Sequence, residues 1–559
     1  MNDHLSGVQL PSSHGHEYEI SSSERRWVLV YALLVMLATS VPYLIGFANQ
    51  GTTWRFTGFV FGVEDGNSYI AKMLSGAKGA WLFRSPYTAE EQGGVIAFLP
   101  FNLLGRLASP PGMHEQLVAL FHLFRFFAGI VEIIATYQFL ALFITSLSIR
   151  RVGLVLSTLG GGLGWLLVLF GQDQWLGSLP LEFYSPETFG FLGLYGLPHL
   201  ALARAGLLWA LLIYLRSLGS PGKSKLSDSI RIGLVWLLVY FAQPLTTLVV
   251  GFVFGLHWVS LAVWQGWRMI RFRDANWYLG NKALRLVGLA CVLPAPFIFY
   301  NFLTFSTDPF LKRWTAQNLI TSPHPMHYLL AYGIMVPFAV IGGIKLLRLR
   351  AWQGWLLAGW ALAIPLLAYA PVNLQRRLPE GVWVALVILA MKAFDYPVAE
   401  VPKRLLGATP VLLLVCLPSS LFLLVGGILT ASRPGLPLFR PVDEVKAFEF
   451  LAVEGEVGDV VLASYQTGNA LPAWAPVRVV IGLGPESIGL SELQPRVERF
   501  YASQTSDEER RGLLQDYQVS YVFRGPVESS FGIWLPAQVE YLHPVYQSKG
   551  YEVYRVVGK

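Results

Sequence analysis

Charge is scarce in this chain, and cysteine scarcer still. Charged residues make up 14% of its 559 residues, where soluble domains carry about 25%. That shortage excludes an ordinary water-soluble enzyme and a disordered chain. The only two cysteines, Cys291 and Cys416, each lie inside an apolar run. A disulfide framework and a cysteine metal cluster are excluded with them. Nucleotide-binding signatures are also missing. Gly482-Leu483-Gly484-Pro485 lacks the third glycine of a dinucleotide fingerprint. No internal repeat is evident, so the inverted halves of many transporters find no counterpart. The first 26 residues are polar and end in Glu24-Arg25-Arg26, without the small-residue cleavage site of a signal peptide.

What is abundant is apolar sequence. Hydrophobic residues reach 54% and the mean hydropathy is +0.48. We expect an α-helical polytopic membrane protein. Apolar runs lie at 27–47, 116–147, 152–171, 188–215, 286–304, 328–347, 353–371, 382–394 and 404–430. The run 232–267 is too long for one span and is interrupted by Gln243-Pro244, so it reads as two. The total is about eleven transmembrane helices. Basic clusters between runs, such as Arg150-Arg151 and Arg268, Arg271 and Arg273, mark cytoplasmic loops. This gives a cytoplasmic tail at 1–26, a transmembrane domain at 27–430 and a large first outer loop at 48–115.

Residues 431–559 differ in kind. They hold 16 acidic and 12 basic residues, a charge of −4, within a chain of net charge +7. Strand-like runs at 460–464, 477–482, 519–523 and 551–557 flank helical stretches such as 507–517. We expect a soluble α/β domain outside the cytoplasmic membrane.

Ionisable groups in outer loops and within spans are the places to look for function. The first outer loop carries Glu64-Asp65 at the start of a helix. A carboxylate there is stabilised by free N–H groups, so a plain helix cap explains it as well as chemistry does. The second outer loop carries Asp173, Glu182 and Glu187, of which Glu182 reads as structural. Arg376-Arg377 breaks the charge bias by lying on the outer side, where a basic pair suits a lipid phosphate. Anionic lipid headgroups are the plainer alternative. Glu132 and Arg204 fall at matching depth in two spans and are expected to form a buried ion pair. No His/Asp cluster has metal-ligand spacing, and His324 and His327 read as solvated.

Around Asp65 the pattern becomes more specific. An apolar first helix precedes the carboxylate. Tyr69 and Ala71, then Gly79-Ala80-Trp81-Leu82, then Pro86-Tyr87 follow it. This resembles the GT-C superfamily of integral membrane glycosyltransferases, which includes protein O-mannosyltransferases, aminoarabinose transferases and oligosaccharyltransferases. It is similar in particular to bacterial GT-C-like proteins with an outer α/β tail. Ala97-Phe98-Leu99-Pro100 replaces the Lys-Pro-Pro-like segment common in the superfamily. The resemblance implies transfer of a sugar from a polyprenyl-phosphate donor to a glycan, lipid or protein hydroxyl, with inversion. It implies Asp65 as catalytic base, with Glu64 second. Arg376, Arg377, Tyr69, Asp173 and Glu187 are the expected substrate-binding residues. The sequence requires no cofactor and leaves room for a divalent metal. A lipid-saccharide flippase and a non-catalytic assembly protein are the alternatives, and nucleic acid is not an expected partner.

Overall fold

A computed structural model describes residues 20–222, 224–272, 277–349, 351–396 and 408–558. Most of the expected tail 1–26, the loop charges Lys223, Arg273 and Arg350, and the start of the 404–430 run lie outside the described residues. The first helix, α1 (Ser22–Asn49), begins before its apolar stretch because Ser21 and Glu24 form a capping box. Glu24 is not a solvated flank. It is buried and pairs with Arg150 Nη1 at 2.5 Å, while the Tyr137 hydroxyl donates to it at 2.7 Å.

Every expected apolar stretch contains helix. The first loop carries α2 (Val63–Ala77) and α3 (Leu99–Gly105), then α4 (Met113–Ala141) follows. The 152–171 stretch is split into α5 (Leu147–Leu159) and α6 (Gly164–Leu169). The break falls at Gly160–Gly162, where a Cβ on Gly162 would meet the Ala331 backbone at 2.5 Å. Next come α7 (Phe191–Gly196), α8 (Pro198–Gly219), α9 (Leu226–Ala242) and α10 (Pro244–Phe272). The break between α9 and α10 is at Gln243-Pro244, as read from the sequence. Two stretches are bent rather than straight. The helices α11 (Tyr278–Cys291) and α12 (Ala295–Thr307) meet at 60°. After α13 (Pro309–Gln317), α14 (Pro325–Tyr332) and α15 (Val336–Arg348) meet at 70°. Then follow α16 (Trp352–Leu362), α17 (Ile364–Ala368), α18 (Val382–Phe394) and the paired helices over 408–431. Among the described residues, five helices are long and apolar enough to cross a membrane, and up to seven if each bent pair counts as one. The protein is a multi-pass membrane protein.

The C-terminal part carries a five-stranded sheet. Its strands are β3 (Val460–Leu462), β4 (Arg478–Val479), β5 (Tyr521–Arg524), β6 (Leu542–Ser548) and β7 (Tyr551–Val556), in the order β4-β3-β5-β7-β6. The β3–β4 and β3–β5 pairs are parallel, and β7 runs antiparallel to both its neighbours. Sequence reading found four of these strands and missed β6. The reason is its polar, largely solvent-facing pattern, with only Leu542 fully buried.

This tail is seated on the first loop. A short strand β1 (Trp54–Phe56) pairs with β2 (Phe439–Pro441), and the His114 ring stacks on Trp474 at 3.4 Å. Within the loop, α2 and α3 touch backbone to backbone. A Cβ on Gly76 would lie 2.0 Å from the Asn102 carbonyl oxygen, and one on Gly105 would lie 1.8 Å from that of Met73. Neither position has room for a side chain. Gly105→Ala is therefore expected to force the two helices apart and cost about 1–3 kcal/mol. A lowered melting temperature in detergent checks this, and unchanged melting would contradict it.

Candidate functional site

The helix α2 places the two acidic residues. Its N-cap is Gly62, with φ of +56°, a conformation that favours glycine, and no side chain caps the first turn. Glu64 and Asp65 both lie in that turn. Asp65 thus stands where the free N–H groups of a helix start stabilise a carboxylate, as expected of a first-turn acidic residue. Beside it, Gly66 lies against the Phe59 ring, which a Cβ would meet at 2.3 Å.

The two carboxylates have different surroundings. Glu64 is tied to the tail: the Tyr465 hydroxyl donates to its Oε2 at 3.0 Å, and Asn469 Nδ2 donates to its carbonyl oxygen at 3.4 Å. Asp65 keeps solvent-accessible surface, yet it is ringed by protein. Desolvation is the largest influence on its carboxyl and raises its pKa, against the opposing charges of Arg377 and Lys72. Glu486 and Glu187 push in the same direction as burial.

These charges arrive from separate elements. Arg377 sits on a single turn, Gln375–Arg377, between α17 and α18. Its Nε is 3.4 Å from Glu187 Oε1. Glu187 is buried, and its Oε2 has no partner. The segment carrying Glu187 is clamped from below. Arg204 in α8 donates to the carbonyl oxygens of Pro186 at 2.7 Å and Phe189 at 3.2 Å. The expected Arg204–Glu132 pair is present at 3.1 Å, and Glu380 completes a triad at 2.5 Å. Glu380 was missed because it falls outside the apolar run, in the turn just before α18.

Tyr69 lies one turn along α2 from Asp65. Its ring stacks on Phe101 at 4.7 Å and meets His199 at 5.2 Å. Burial, and then the Asp65 charge, raise its pKa well above the ordinary phenol value, so its hydroxyl stays protonated. His199 Nδ1 is buried without a partner.

The structure thus brings together Asp65, Tyr69, Glu187 and Arg377, with Glu64 at the rim. Arg376 points elsewhere, its guanidinium 4.4 Å above the Tyr184 ring. Asp173 is exposed on the turn before Trp175. His327, expected to be solvated, is buried, with Nε2 2.8 Å from the Trp175 carbonyl oxygen. Sequence reasoning assigned no role to Lys72, His199, Tyr465, Asn469 or Glu486. The last three are contributed by the tail, hundreds of residues away, and no local pattern announces them. Among the described residues, no group of three or more His, Cys, Asp or Glu stands together to hold a metal ion.

No protein-family model matches the sequence, and no curated protein matches it. Solved structures do. The archaeal oligosaccharyltransferase AglB from Archaeoglobus fulgidus, in complex with an inhibitory peptide and a dolichol-phosphate, is similar over 90% of this chain and 70% of that chain, at 12% identity and a TM-score of 0.51. The same organism's oligosaccharyltransferase in the apo form gives a TM-score of 0.53 over 90% and 70% of the two chains, at 12% identity. The arabinofuranosyltransferase AftD from Mycobacteria is similar over 97% of this chain and 42% of that chain, at 15% identity and a TM-score of 0.54. The chain therefore has the GT-C fold, that of polytopic membrane glycosyltransferases, with a C-terminal sheet domain.

Proposed function

We propose that this chain is a membrane glycosyltransferase acting at the outer face of the membrane. It moves a sugar from a polyprenyl-phosphate donor to an acceptor hydroxyl. The observation that carries the reading is the solvent-exposed carboxylate of Asp65 in the first turn of α2. The charge of Arg377, from a different loop, acts on it. The GT-C fold, shared with enzymes named for sugar transfer, supports it, as does the dolichol-phosphate in the AglB structure.

The chemistry follows from those two charges. Asp65 takes the proton of the acceptor hydroxyl as that oxygen attacks the anomeric carbon. The bond from the anomeric carbon to the phosphate oxygen breaks, and the polyprenyl phosphate leaves with the electron pair. Arg377 faces the charge that develops on it. A single displacement of this kind inverts the anomeric centre. Tyr69 offers a protonated hydroxyl, and Glu187 holds Arg377 in place. In this reading Glu64 anchors the tail rather than reacting. Residues 1–26 lie in the cytoplasm, and 431–559 form an outer domain that closes over the site. The test is transfer by purified protein from a panel of polyprenyl-phosphate sugars, with the product's anomeric configuration read by NMR. Retention, or no transfer from any donor, would contradict the reading.

The protonation of Asp65 predicts a pH profile. A base must be ionised, and the pKa of Asp65 is raised in the folded protein. Activity is therefore fully present above that raised pKa and is lost as pH falls through it. The acid limb of kcat/KM should lie above the ordinary aspartate value. A limb at or below the ordinary aspartate value would contradict this.

A further inference from the structure

Lys72 and Glu486 are 414 residues apart in sequence, yet their charged ends meet at 2.7 Å. Both are nearly sealed from solvent, with side-chain exposures of 2% and 5%. Lys72 belongs to α2 and lies seven residues, about two helical turns, from Asp65, so the two share a face. Glu486 belongs to the tail, in the loop after β4. Both partners are further held by residues of the membrane domain and its first loop. Lys72 Nζ also donates to Ser68 Oγ, and lies 4.4 Å from the centre of the Phe98 ring. Ser85 Oγ donates to the other oxygen of Glu486. The loop itself is fixed by Gln317 Nε2, which donates to the carbonyl oxygens of Pro485 at 3.1 Å and Ser487 at 3.0 Å. Ser487 Oγ in turn donates to the Tyr87 carbonyl oxygen at 2.9 Å.

A buried ion pair is weak evidence for stability, because desolvation offsets the attraction. Well-packed apolar residues would join these surfaces as firmly. What an ion pair adds is fixed register and a fixed local field. We propose that Lys72 and Glu486 form one positioning unit, through which the tail domain holds α2 in place and sets the charge balance around Asp65. The proposal builds on the reading of Asp65 as the reacting carboxylate. Facing Asp65 are Lys72 and Tyr69 from its own helix, Glu486 and Tyr465 from the tail, and Arg377 and Glu187 from two loops of the membrane domain. Lys72 favours the ionised form of Asp65, and Glu486 opposes it. Removing Glu486 alone leaves the lysine charge unbalanced and must favour ionised Asp65. Removing both charges must largely cancel.

The test needs neither donor nor acceptor. The Asp65 carboxyl is titrated by infrared spectroscopy in the full-length protein, with Asp65→Asn subtracted to isolate its band. Glu486→Gln should move the titration down in pH, and the Lys72→Met/Glu486→Gln double variant should bring it back towards wild type. A merely structural pair would show no such restoration. Glu486→Asp keeps the charge on a shorter arm, and keeps the proposal testable if the glutamine variant does not fold. Its titration should stay near wild type while amide hydrogen exchange in 63–77 speeds up. An unmoved titration in Glu486→Gln, or a double variant displaced further than the single one, would overturn the proposal. So would unchanged exchange in Glu486→Asp. Because the readout is a carboxyl band, failure to find sugar transfer leaves this result intact, and failure here leaves transfer to be judged separately.

Discussion

Asp65→Asn is expected to abolish sugar transfer while the protein stays folded and membrane-inserted. The amide has nearly the same shape as the carboxylate and cannot take a proton. Loss of general-base help typically slows a reaction about 10²–10⁴-fold. The helix itself should be unaffected, because no side chain caps α2 and its N-cap is Gly62. Donor KM should change little, since the base acts on the acceptor hydroxyl. Glu64→Gln is the matched control. Its carboxylate already accepts a hydrogen bond from Tyr465 at 3.0 Å, which an amide oxygen can still accept. We expect that variant to keep most of its activity. The measurement is single-turnover transfer with purified variants at saturating donor. Near-wild-type rates in Asp65→Asn, or equal losses in both variants, would contradict the assignment.

Replacing Arg377 should be the second most damaging change, and it separates two arginines that the sequence presents as a pair. Arg377 pairs with Glu187 at 3.4 Å. Arg376 stands over the Tyr184 ring instead. In the proposed function, only the first is the one that meets the leaving phosphate. Removing a single group that stabilises developing negative charge typically costs about 10²–10³-fold in kcat. Arg377→Ala also strips Glu187 of its partner and leaves a buried carboxylate uncompensated. Arg377→Lys keeps the charge but loses the planar fork of donors, so it should fall between wild type and alanine. Arg376→Ala should cost less than Arg377→Lys. Comparing kcat and donor KM across the three variants decides the matter. Equal effects at both positions would return the pair to the role of interface anchors.

How much of this was legible beforehand depends on the distance over which each feature is encoded. The spans could be read because apolar runs and their basic flanks are local. The break at Gln243-Pro244 could be read for the same reason. The splitting of 152–171 at Gly160–Gly162 was harder: it depends on Ala331 approaching from another part of the chain. Asp65 was singled out from its place in the first loop and from the residues that follow it. Which arginine faces it was not legible, because adjacent residues on one turn differ only in the direction they point. One of the two ion pairs of the Glu132–Arg204–Glu380 triad followed from matching depths in two spans, while Glu380 sits in a turn with no depth to match. The tail was read as a separate domain, correctly in its α/β character. Nothing local showed that Tyr465, Asn469 and Glu486 would reach back to α2. Their contacts span more than 400 residues of sequence, and only the folded chain brings them to one place.

The proposed function requires that the phosphate of a lipid-linked sugar bind between α2 and the Gln375–Arg377 turn. The most direct measurement is a structure of the Asp65→Asn variant bound to undecaprenyl phosphate in a lipid nanodisc. The phosphate should lie within hydrogen-bond reach of the Arg377 guanidinium, with residue 65 on the same side of α2. A phosphate seated away from both Arg377 and α2 would refute the proposed function.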